Sequence, residues 1–577
     1  MRSSGEIAPP ALASAGPAAP TDAPAWLFGS GPDAAGRRLA LLCLLPALVY
    51  IGTLQFDFVF DDNIVVLADR LVAGPWNAGE IFGSQVRVAD VTLGYYRPLV
   101  TLSYRFDRLL WGVNPAGYHL TNLVWHILAT ALVYAAALGT GATRLAAWSG
   151  ALSFGLLPAH AEVLGWIQGR VDLLATTFVL LAFLALLRAE RRRGAALWGW
   201  SCLGGGLYLL ALLAKEAAAP LPLVWAAWEL SSSGGTSPRK RLVACLPRVI
   251  PLLVALLGYW TLRQAALGSA VQFPTSLSPL GLRLLALFAV IAEYGRILLC
   301  PDLGLNLHRA VAVQWDSPTL LSALLAGATL GGGLAALWWR ARHLVLWAAW
   351  LLLMLTPPLL FIWYEFAPQS GFLTAERFLY LPSVGWCVLA GALFGKLLQP
   401  GRGAGGRLYG WATLIAVLAA YAGLNTVRLA PWADAAELYR AILRQGGQSV
   451  QVRLDVHNNL GGVYLDRGEF AAAHREFQAA LRLSPKYVFA LNNMGVLFIR
   501  QGEPAAALPW LEKAIRLRPD YADAYGNLGA AYEALGDLGR ARAAYAAGLR
   551  LAPASTRLAA GLRGVGGAPG ISPQGKP

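Results

Sequence analysis

Two adjacent carboxylates, Asp61 and Asp62, stand in the run Phe-Val-Phe-Asp-Asp-Asn-Ile-Val-Val, a few residues after the first long apolar segment ends. Removing neighbouring carboxylates from water is costly, so a membrane protein that holds them at the mouth of a helix bundle is expected to use them. A carboxylate in such a place can take the proton of a hydroxyl group, which is general base chemistry. A solvated loop turn is the structural alternative.

The composition is typical of a polytopic membrane protein with a soluble extension. Of 577 residues, 56% are hydrophobic and 14% are charged, whereas soluble domains have about 45–50% and about 25%. The net charge of +15 would suggest a nucleic-acid partner in a soluble chain. Here many basic residues cluster in short gaps between apolar segments, where they mark cytoplasmic loops. No nucleic-acid partner is therefore expected.

Twelve apolar segments approach the roughly 20 residues that cross a bilayer. They lie at about 39–54, 118–138, 145–158, 171–187, 195–213, 217–230, 243–262, 281–300, 318–338, 343–363, 378–397 and 407–427. The basic clusters near 144, 188–193, 239–241, 340–342 and 402–407 are expected to face the cytoplasm. That pattern requires one segment to return to its own side, and 281–300, with Glu293 and Arg296, fits an interfacial or re-entrant helix.

The prediction is eleven spans, with the amino end in the cytoplasm and the carboxyl end outside. This topology places the loop of Asp61 and Asp62, the loop from His160 to Arg170, and the stretches 301–315 and 365–377 on the outer face. The carboxyl-terminal region follows on the same side. The polar groups that could perform chemistry are therefore expected on one side of the membrane.

A 34-residue period organises the carboxyl-terminal region. It appears in three sets of markers, which are Gly461, Gly495 and Gly529; Gly468, Gly502 and Gly536; and Pro485, Pro519 and Pro553. This is the period of tetratricopeptide helix–turn–helix units, which present a groove to peptides or helices. An unrelated helical bundle is the alternative. The predicted units are 454–487, 488–521 and 522–555.

The remaining boundaries follow from composition. The predictions are a disordered tail at 1–36, a transmembrane domain at 37–430, a connecting helix within 431–453, the repeats at 454–555 and a disordered tail at 556–577.

Motifs along most of the chain resemble those of known membrane glycosyltransferases. The acidic pair after the first span resembles the first-loop motif of the GT-C class. Further stretches are similar to those of the transmembrane and tetratricopeptide-repeat protein O-mannosyltransferases; they are Tyr96-Arg97-Pro98-Leu99 with Tyr118-His119-Leu120-Thr121-Asn122 and His126, His160-Ala161-Glu162 with Gly169-Arg170-Val171-Asp172, Lys215-Glu216, and Glu376-Arg377-Phe378-Leu379-Tyr380-Leu381-Pro382-Ser383. A sequence rich in Ala, Gly and Arg is typical of a bacterial member.

The resemblance implies an all-α protein, a polytopic GT-C-type bundle followed by a tetratricopeptide α-solenoid. It implies a polyprenyl-phosphate-linked sugar, mannose or a related one, as the donor. The implied acceptor is a Ser or Thr hydroxyl of an exported protein, bound through the repeat groove. A cell (inner) membrane location is expected, with the repeats periplasmic.

The resemblance also implies roles for individual residues. Asp61 would be the base, with Asp62 orienting it or the acceptor. Arg97, Arg170 and Arg377 would hold the departing phosphate, on which negative charge grows as the bond breaks.

Each cation has a structural alternative. Arg170 lies near Asp172 and Glu162 in the sequence, and Arg377 adjoins Glu376, so ion pairs that orient the loops are an equal possibility. Lys215 either meets the phosphate or pairs internally with Glu216. His308 either helps to hold the phosphate or is an ordinary interfacial histidine.

His119 and His126 are seven residues apart, on one helix face with Asn122 between them. Without a nearby third ligand, polar packing is favoured over a metal site. No metal site is predicted, and whether the reaction needs a divalent metal is open.

Three other functions remain open: a non-catalytic scaffold that recruits partners through its repeats, a flippase for lipid-linked sugars, or a GT-C enzyme that acts on a glycan or lipid.

Overall fold

The computed structural model describes residues 25–29, 31–84, 87–88, 91–92, 95–231, 238–268, 280–301, 309–311, 317–365, 372–399, 404–446, 449–553 and 555–566. Helices dominate this part of the chain, which confirms the predicted all-α class. The α-helices of the membrane region are α1 (Ala25–Phe28), α2 (Pro32–Tyr50), α3 (Arg70–Ala73), α4 (Ala78–Gly83), α5 (Pro98–Trp111), α6 (Pro115–Gly139), α7 (Arg144–Leu156), α8 (Ala161–Gly165), α9 (Arg170–Glu190), α10 (Gly194–Ala214), α11 (Leu221–Ser231), α12 (Pro238–Leu267), α13 (Leu280–Leu299), α14 (Ser317–Arg340), α15 (Val345–Met354), α16 (Thr356–Glu365), α17 (Ser383–Leu397) and α18 (Ala404–Leu429).

Short turns and strands connect these helices. The 3₁₀ turns are Ile51–Gln55, Pro158–His160, Ile167–Gly169, Glu216–Ala218, Arg342–Leu344, Glu376–Leu379 and Ala430–Ala433, and Asn63–Ala68 is a π-helical turn. Two antiparallel strand pairs are present, β1 (Arg87–Val88) with β2 (Val91–Thr92) and β3 (Arg309–Val311) with β4 (Phe372–Thr374). The second pair joins the two stretches, 301–315 and 365–377, that the charge pattern predicts on the same face.

The chain is a multi-pass membrane protein. Within the described ranges, eight helical segments are long and apolar enough to span: Pro32–Gln55, Pro115–Gly139, Ile167–Glu190, Gly194–Ala214, Val243–Leu267, Thr319–Arg340, Arg342–Leu360 and Gly405–Ala433. Three other predicted spans form the shorter helices α7, α11 and α17, of 13, 11 and 15 residues. At about 1.5 Å per residue these fall short of a hydrocarbon core of about 30 Å. The segment 281–300 forms α13, and the eleven-span count and the orientation stay predictions.

Close helix contact inside the bundle depends on glycine. A side-chain carbon added at Gly391 of α17 would lie 2.3 Å from the carbonyl oxygen of Ala146 in α7, and one added at Gly150 would lie 2.8 Å from that of Cys387. Small residues let two helices approach to backbone contact in a membrane, where dispersion and shape complementarity drive association. The α7–α17 contact fixes the bundle beside the segments 158–170 and 376–383.

The predicted disordered tail at 1–36 is wrong at its carboxyl end, because α1 and the first turn of α2 are helical. Leu27 and Phe28 are both 5% exposed, and the Phe28 ring meets Trp148 with centroids 5.6 Å apart. The buried Arg38 donates to the carbonyl oxygens of Leu27 and Gly29, at 2.5 and 3.1 Å. These apolar side chains therefore dock residues 25–29 on the bundle. Residues 1–24 lie outside the described residues.

The carboxyl-terminal helices stack in pairs. They are α19 (Ala435–Gln445), α20 (Val450–Asp466), α21 (Phe470–Leu483), α22 (Val488–Arg500), α23 (Pro504–Leu517), α24 (Ala522–Ala534), α25 (Leu538–Leu551) and α26 (Thr556–Gly564). Helices α20 with α21, α22 with α23 and α24 with α25 form the three predicted units, and α19 occupies the predicted connecting segment.

The periodic markers have separate physical roles. A side-chain carbon at Gly461 would lie 2.5 Å from the ring of Phe477, so this glycine makes room for the paired helix. Gly468 has φ of +75°, a left-handed conformation that glycine adopts without steric cost, at the turn between α20 and α21. Pro485 follows the end of α21 by two residues, where it prevents the helix from continuing.

The predicted disordered tail at 556–577 is wrong over its first residues. Helix α26 packs against α24 and α25 and buries Leu558, which is 1% exposed. It covers the apolar edge of the third unit, as a terminal helix of a repeat array is expected to do.

Candidate active site

One cavity of about 190 Å³ brings together the predicted base and three of the predicted phosphate ligands. Asp61, Arg97, Lys215 and Arg377 all line it. Its other lining residues are Val65, Tyr95, Val100, Thr101, Tyr104, Trp166, Gln168, Val171 and Phe378. These residues come from five separate parts of the chain, so only the folded bundle assembles the group.

The acidic loop has an unusual backbone. Phe60 has φ of +52°, and in the described part of the chain it is the only residue other than glycine with a left-handed φ. Such a conformation costs about 1–2 kcal/mol and persists where the surroundings hold it. The Phe60 ring lies against Trp166, Trp432 and Tyr439, with centroids 6.0, 6.2 and 5.0 Å away. Three aromatic side chains therefore fix the residue that precedes Asp61.

The two carboxylates have different surroundings. Asp61 faces the cavity, whereas Asp62 is 0% exposed and its Oδ2 accepts a hydrogen bond from the backbone N–H of Val59 at 3.2 Å. Burial raises the pKa of Asp61, and the charge of Arg377 opposes that shift. Burial raises the pKa of Asp62 well above its usual range, and the charge of Asp61 adds to the shift. Asp61 can therefore meet a ligand, while Asp62 supports the loop.

Each cation of the cavity is held by a carboxylate. Arg97 pairs with Glu216 at 3.0 Å, and Lys215 pairs with Asp172 at 2.6 Å. Arg377 pairs with Glu162 through its guanidinium, and its backbone N–H donates to the same carboxylate at 2.9 Å. The Lys215 pair is buried, whereas the Glu216 side chain of the Arg97 pair is partly exposed. The pairs fix the direction of each cation.

Arg97 and Lys215 keep hydrogen-bond donors beyond these pairs. Arg97 precedes α5, its charge lies 4.3 Å from the centroid of the Tyr95 ring, and its Nε is buried without a hydrogen-bond partner. Burial alone would raise the pKa of Glu216, but the charge of Arg97 outweighs it and lowers the pKa to about 2. Burial lowers the pKa of Lys215, and the Asp172 charge opposes that shift. An anion in the cavity would meet both cations.

Arg170 is not among the residues that line the cavity, and its role as a phosphate ligand stays a prediction. It is 0% exposed, and it pairs with Asp107 at 2.7 Å. It also donates to Asn122 Oδ1 and to the carbonyl oxygen of Tyr118, the latter at 2.9 Å. Arg170 forms an ion pair, as the alternative prediction states, but its partner is Asp107 and not Asp172 or Glu162.

The supporting residues are buried around the same loops. Asn122 donates to the carbonyl oxygens of Trp166 and Ile167, at 3.3 and 3.1 Å, and thus holds the turn that carries two cavity residues. His126 Nδ1 lies 2.7 Å from the Tyr380 hydroxyl, and its Nε2 lies 3.0 Å from the carbonyl oxygen of Gly155.

His119 is 1% exposed and packs edge-on against Phe56, with centroids 5.9 Å apart. Glu376 pairs with Arg428 at the end of α18. His308 lies outside the described residues.

Four residues of this region were missed at the sequence level. Gln168 lines the cavity, and Tyr439 packs on Phe60. Asp107 and Arg428 hold Arg170 and Glu376. The last two carried a usable signal, because a charge near or within an apolar helix needs a partner of opposite sign.

Comparison with known proteins gives two findings, and the first concerns the repeats. The tetratricopeptide repeat family model matches residues 452–520 and 487–554. Residues 452–554 are tetratricopeptide repeats.

The second finding concerns most of the chain. The chain is 27% identical to "Protein O-mannosyl-transferase Tmtc1" of Drosophila melanogaster, over 78% of this chain and 62% of that protein. It is 26% identical to "Protein O-mannosyl-transferase F38B6.6" of Caenorhabditis elegans (78% and 63%), and 27% identical to "Protein O-mannosyl-transferase TMTC1" of Homo sapiens (80% and 57%). The predicted resemblance is confirmed. The chain spans about three fifths of the length of these relatives.

Proposed function

We propose that this protein is a membrane O-mannosyltransferase. It transfers a sugar, mannose, from a polyprenyl phosphate to Ser or Thr hydroxyls of exported proteins on the outer face of the cell membrane. The observation that carries the proposal is the cavity that joins Asp61 to Arg97, Lys215 and Arg377. The names of the relatives supply the sugar and the reaction class.

In this proposal Asp61 is the general base. The acceptor oxygen attacks the anomeric carbon of the donor sugar, its proton passes to the Asp61 carboxylate, and the bond from the anomeric carbon to the phosphate oxygen breaks. The products are the glycosylated hydroxyl and polyprenyl phosphate, and the proton leaves Asp61 for solvent. Burial supports this role, because a raised pKa makes the Asp61 carboxylate a stronger base.

The leaving group needs cations. Negative charge develops on the phosphate as the bond breaks, and charges oriented in advance stabilise it without reorganisation. Arg97 and Lys215 suit this task because Glu216 and Asp172 fix their positions. Each side chain has more N–H donors than its carboxylate partner occupies, so donors remain for the phosphate. Tyr95 and Trp166, which line the same cavity, offer ring faces to the sugar.

The test is a transfer assay with protein purified in detergent. Radiolabelled polyprenyl-phosphate mannose, with glucose and galactose analogues, is offered together with a Ser- and Thr-rich peptide. The wild type is expected to label the peptide from the mannose donor, and Asp61→Asn to lose at least about 10²-fold in rate. Asp57→Asn is the matched control, an exposed carboxylate of the same loop.

The same assay separates the alternatives. Label that enters a glycan or lipid acceptor, and not the peptide, would assign the enzyme to another acceptor class. No turnover by the wild type with any lipid-linked sugar would overturn the proposal and favour a scaffold. Full activity of Asp61→Asn would remove the base assignment alone.

A further inference from the structure

A second cavity, of about 700 Å³, lies at the other end of two helices that support the candidate active site. Helix α7 begins at this cavity with Arg144 and ends just before the segment 158–170. Helix α17 begins where the segment 376–383 ends and reaches the cavity with Lys396. The volume is within the range of about 300–1,000 Å³ that ligand sites occupy. The predicted orientation places this cavity on the cytoplasmic side of the membrane.

The cavity is elongated along α17. Its lining runs from Val388 to Lys396, which is a distance of about 12 Å at about 1.5 Å per residue. The end at Val388 is apolar, and Trp347 of α15 lines it there; both side chains are 2% exposed. Phe28 of α1 also lines the cavity, so the docked amino-terminal segment contributes to its wall. An apolar slot therefore extends from the charged end into the bundle.

The opposite end of the cavity is positively charged. A side-chain carbon added at Gly395 of α17 would lie 2.9 Å from Cβ of Ala146 in α7. The cations Lys396 and Arg144 are close neighbours of these two residues in the chain and line the cavity, so both lie at this end. Both side chains are exposed, and within the described residues neither belongs to an ion pair. Their charges are therefore available to a ligand.

Carboxylates do not offset these charges. Among the described residues that line the cavity, none is Asp or Glu, whereas Thr140, His343 and Gln399 add hydrogen-bonding groups. In the candidate active site, by contrast, each lining cation has a carboxylate partner. Cations without such partners, beside an apolar slot, favour an anion that carries an apolar chain.

We propose that this cavity binds an anionic phospholipid, with its phosphate between Arg144 and Lys396 and an acyl chain along α17 toward Trp347. The span Pro115–Gly139 ends beside the cavity and the span Arg342–Leu360 begins beside it, so its charged end lies at the depth of the lipid headgroups. A soluble anion would occupy the charged end alone, whereas a phospholipid fills both ends. Lipid binding here does not require the proposed transfer activity.

Native mass spectrometry of the full-length protein in detergent tests the headgroup contact. The delipidated protein is titrated with phosphatidylglycerol or with phosphatidylcholine of the same acyl chains. Phosphatidylglycerol is expected to bind at least about tenfold more tightly, and the double variant Arg144→Gln and Lys396→Gln should lose that preference. The double variant Arg192→Gln and Arg193→Gln is the matched control. It removes two charges from the same predicted face, outside the cavity, and should bind as the wild type does.

Filling the cavity tests the acyl-chain contact without a change of charge. Ala392→Phe places a ring in the cavity and should weaken phosphatidylglycerol binding at least about fivefold. Leu393→Phe, at the next position of α17, is the control, because Leu393 is 57% exposed and does not line the cavity. Glycerol phosphate, the soluble counterpart of the headgroup, should not displace the lipid. Displacement by glycerol phosphate, with normal binding by Ala392→Phe, would assign the charged end to a soluble anion and overturn the proposal.

Thermal unfolding in detergent gives a second measure of binding. Phosphatidylglycerol should raise the unfolding temperature of the wild type more than that of the Arg144→Gln and Lys396→Gln double variant, because a ligand that binds only the folded state stabilises it. Equal affinity of the wild type for the two lipids, or equal phosphatidylglycerol affinity of the wild type and this double variant, would overturn the proposal. If the double variant does not fold, its two single exchanges and Ala392→Phe provide the same comparison.

Discussion

The exchange Asp62→Asn is expected to stabilise the protein, and to do so more strongly as the pH rises. Asp62 is 0% exposed, its Oδ2 accepts a hydrogen bond from the backbone N–H of Val59 at 3.2 Å, and the backbone N–H groups of Gln168 and Ile167 also act on its carboxyl group. Burial, with the neighbouring charge of Asp61, raises its pKa well above the usual range. Asparagine has nearly the same shape, keeps an oxygen for the Val59 N–H and carries no charge.

The pH dependence of this stabilisation follows from proton linkage. Because the folded-state pKa of Asp62 is raised, its contribution is fully present below the unfolded-state pKa of about 3.9 and is lost as the pH rises through the folded-state pKa. Between the unfolded-state and the folded-state pKa, the folded protein holds one proton more than the unfolded chain. The free energy of unfolding of the wild type therefore falls by about 1.4 kcal/mol per pH unit relative to the variant.

The assay is thermal unfolding in detergent, followed by tryptophan fluorescence at several pH values between 4 and 8. The difference in unfolding temperature between Asp62→Asn and the wild type should grow with pH, and Asp57→Asn, at an exposed position of the same loop, should show no such trend. If the variant unfolds at a lower temperature than the wild type at every pH, Asp62 is ionised and held by partners whose attraction exceeds the cost of burial, and the expected stabilisation is wrong.

Three further predictions concern the site. The rate of transfer should fall as the pH is lowered through the raised pKa of Asp61, because a protonated carboxyl cannot accept the hydroxyl proton; a pH–rate profile without that acidic limb would contradict the assignment. Arg97→Gln should lower kcat by about 10²-fold, as removal of one charge-stabilising donor does, and an unchanged kcat with a raised KM would assign Arg97 to donor binding alone. Asp107→Asn should lower the free energy of unfolding by about 3–5 kcal/mol, because it leaves the buried Arg170 charge unpaired; a normal denaturant midpoint would contradict this.

The sequence was most informative where one local pattern decides the structure. The glycine and proline markers predicted the repeats because each has a local role, such as the room that Gly461 makes for Phe477 or the left-handed turn at Gly468. The acidic pair was recognisable for a similar reason, since two adjacent carboxylates after an apolar span are rare.

Pairings between distant residues were not predictable in this way. Arg170 pairs with Asp107, 63 residues earlier, and Glu162 pairs with Arg377, 215 residues later. The sequence suggested neighbouring residues as partners of Arg170 and Arg377, because it does not show the helix packing that brings distant charges together. Short helices such as α11 were predicted as spans for a related reason. An apolar run indicates that a segment is buried, but it does not distinguish burial in lipid from burial among other helices.

If Asp61 takes the proton of the acceptor hydroxyl at a site where cations hold the donor phosphate, its carboxylate should be needed for transfer and not for donor binding. Single-turnover transfer by Asp61→Asn, with binding of polyprenyl phosphate measured on the same preparation, separates the two steps. Binding should be retained within about twofold while transfer falls at least about 10²-fold. Transfer at the wild-type rate would show that Asp61 is not the base.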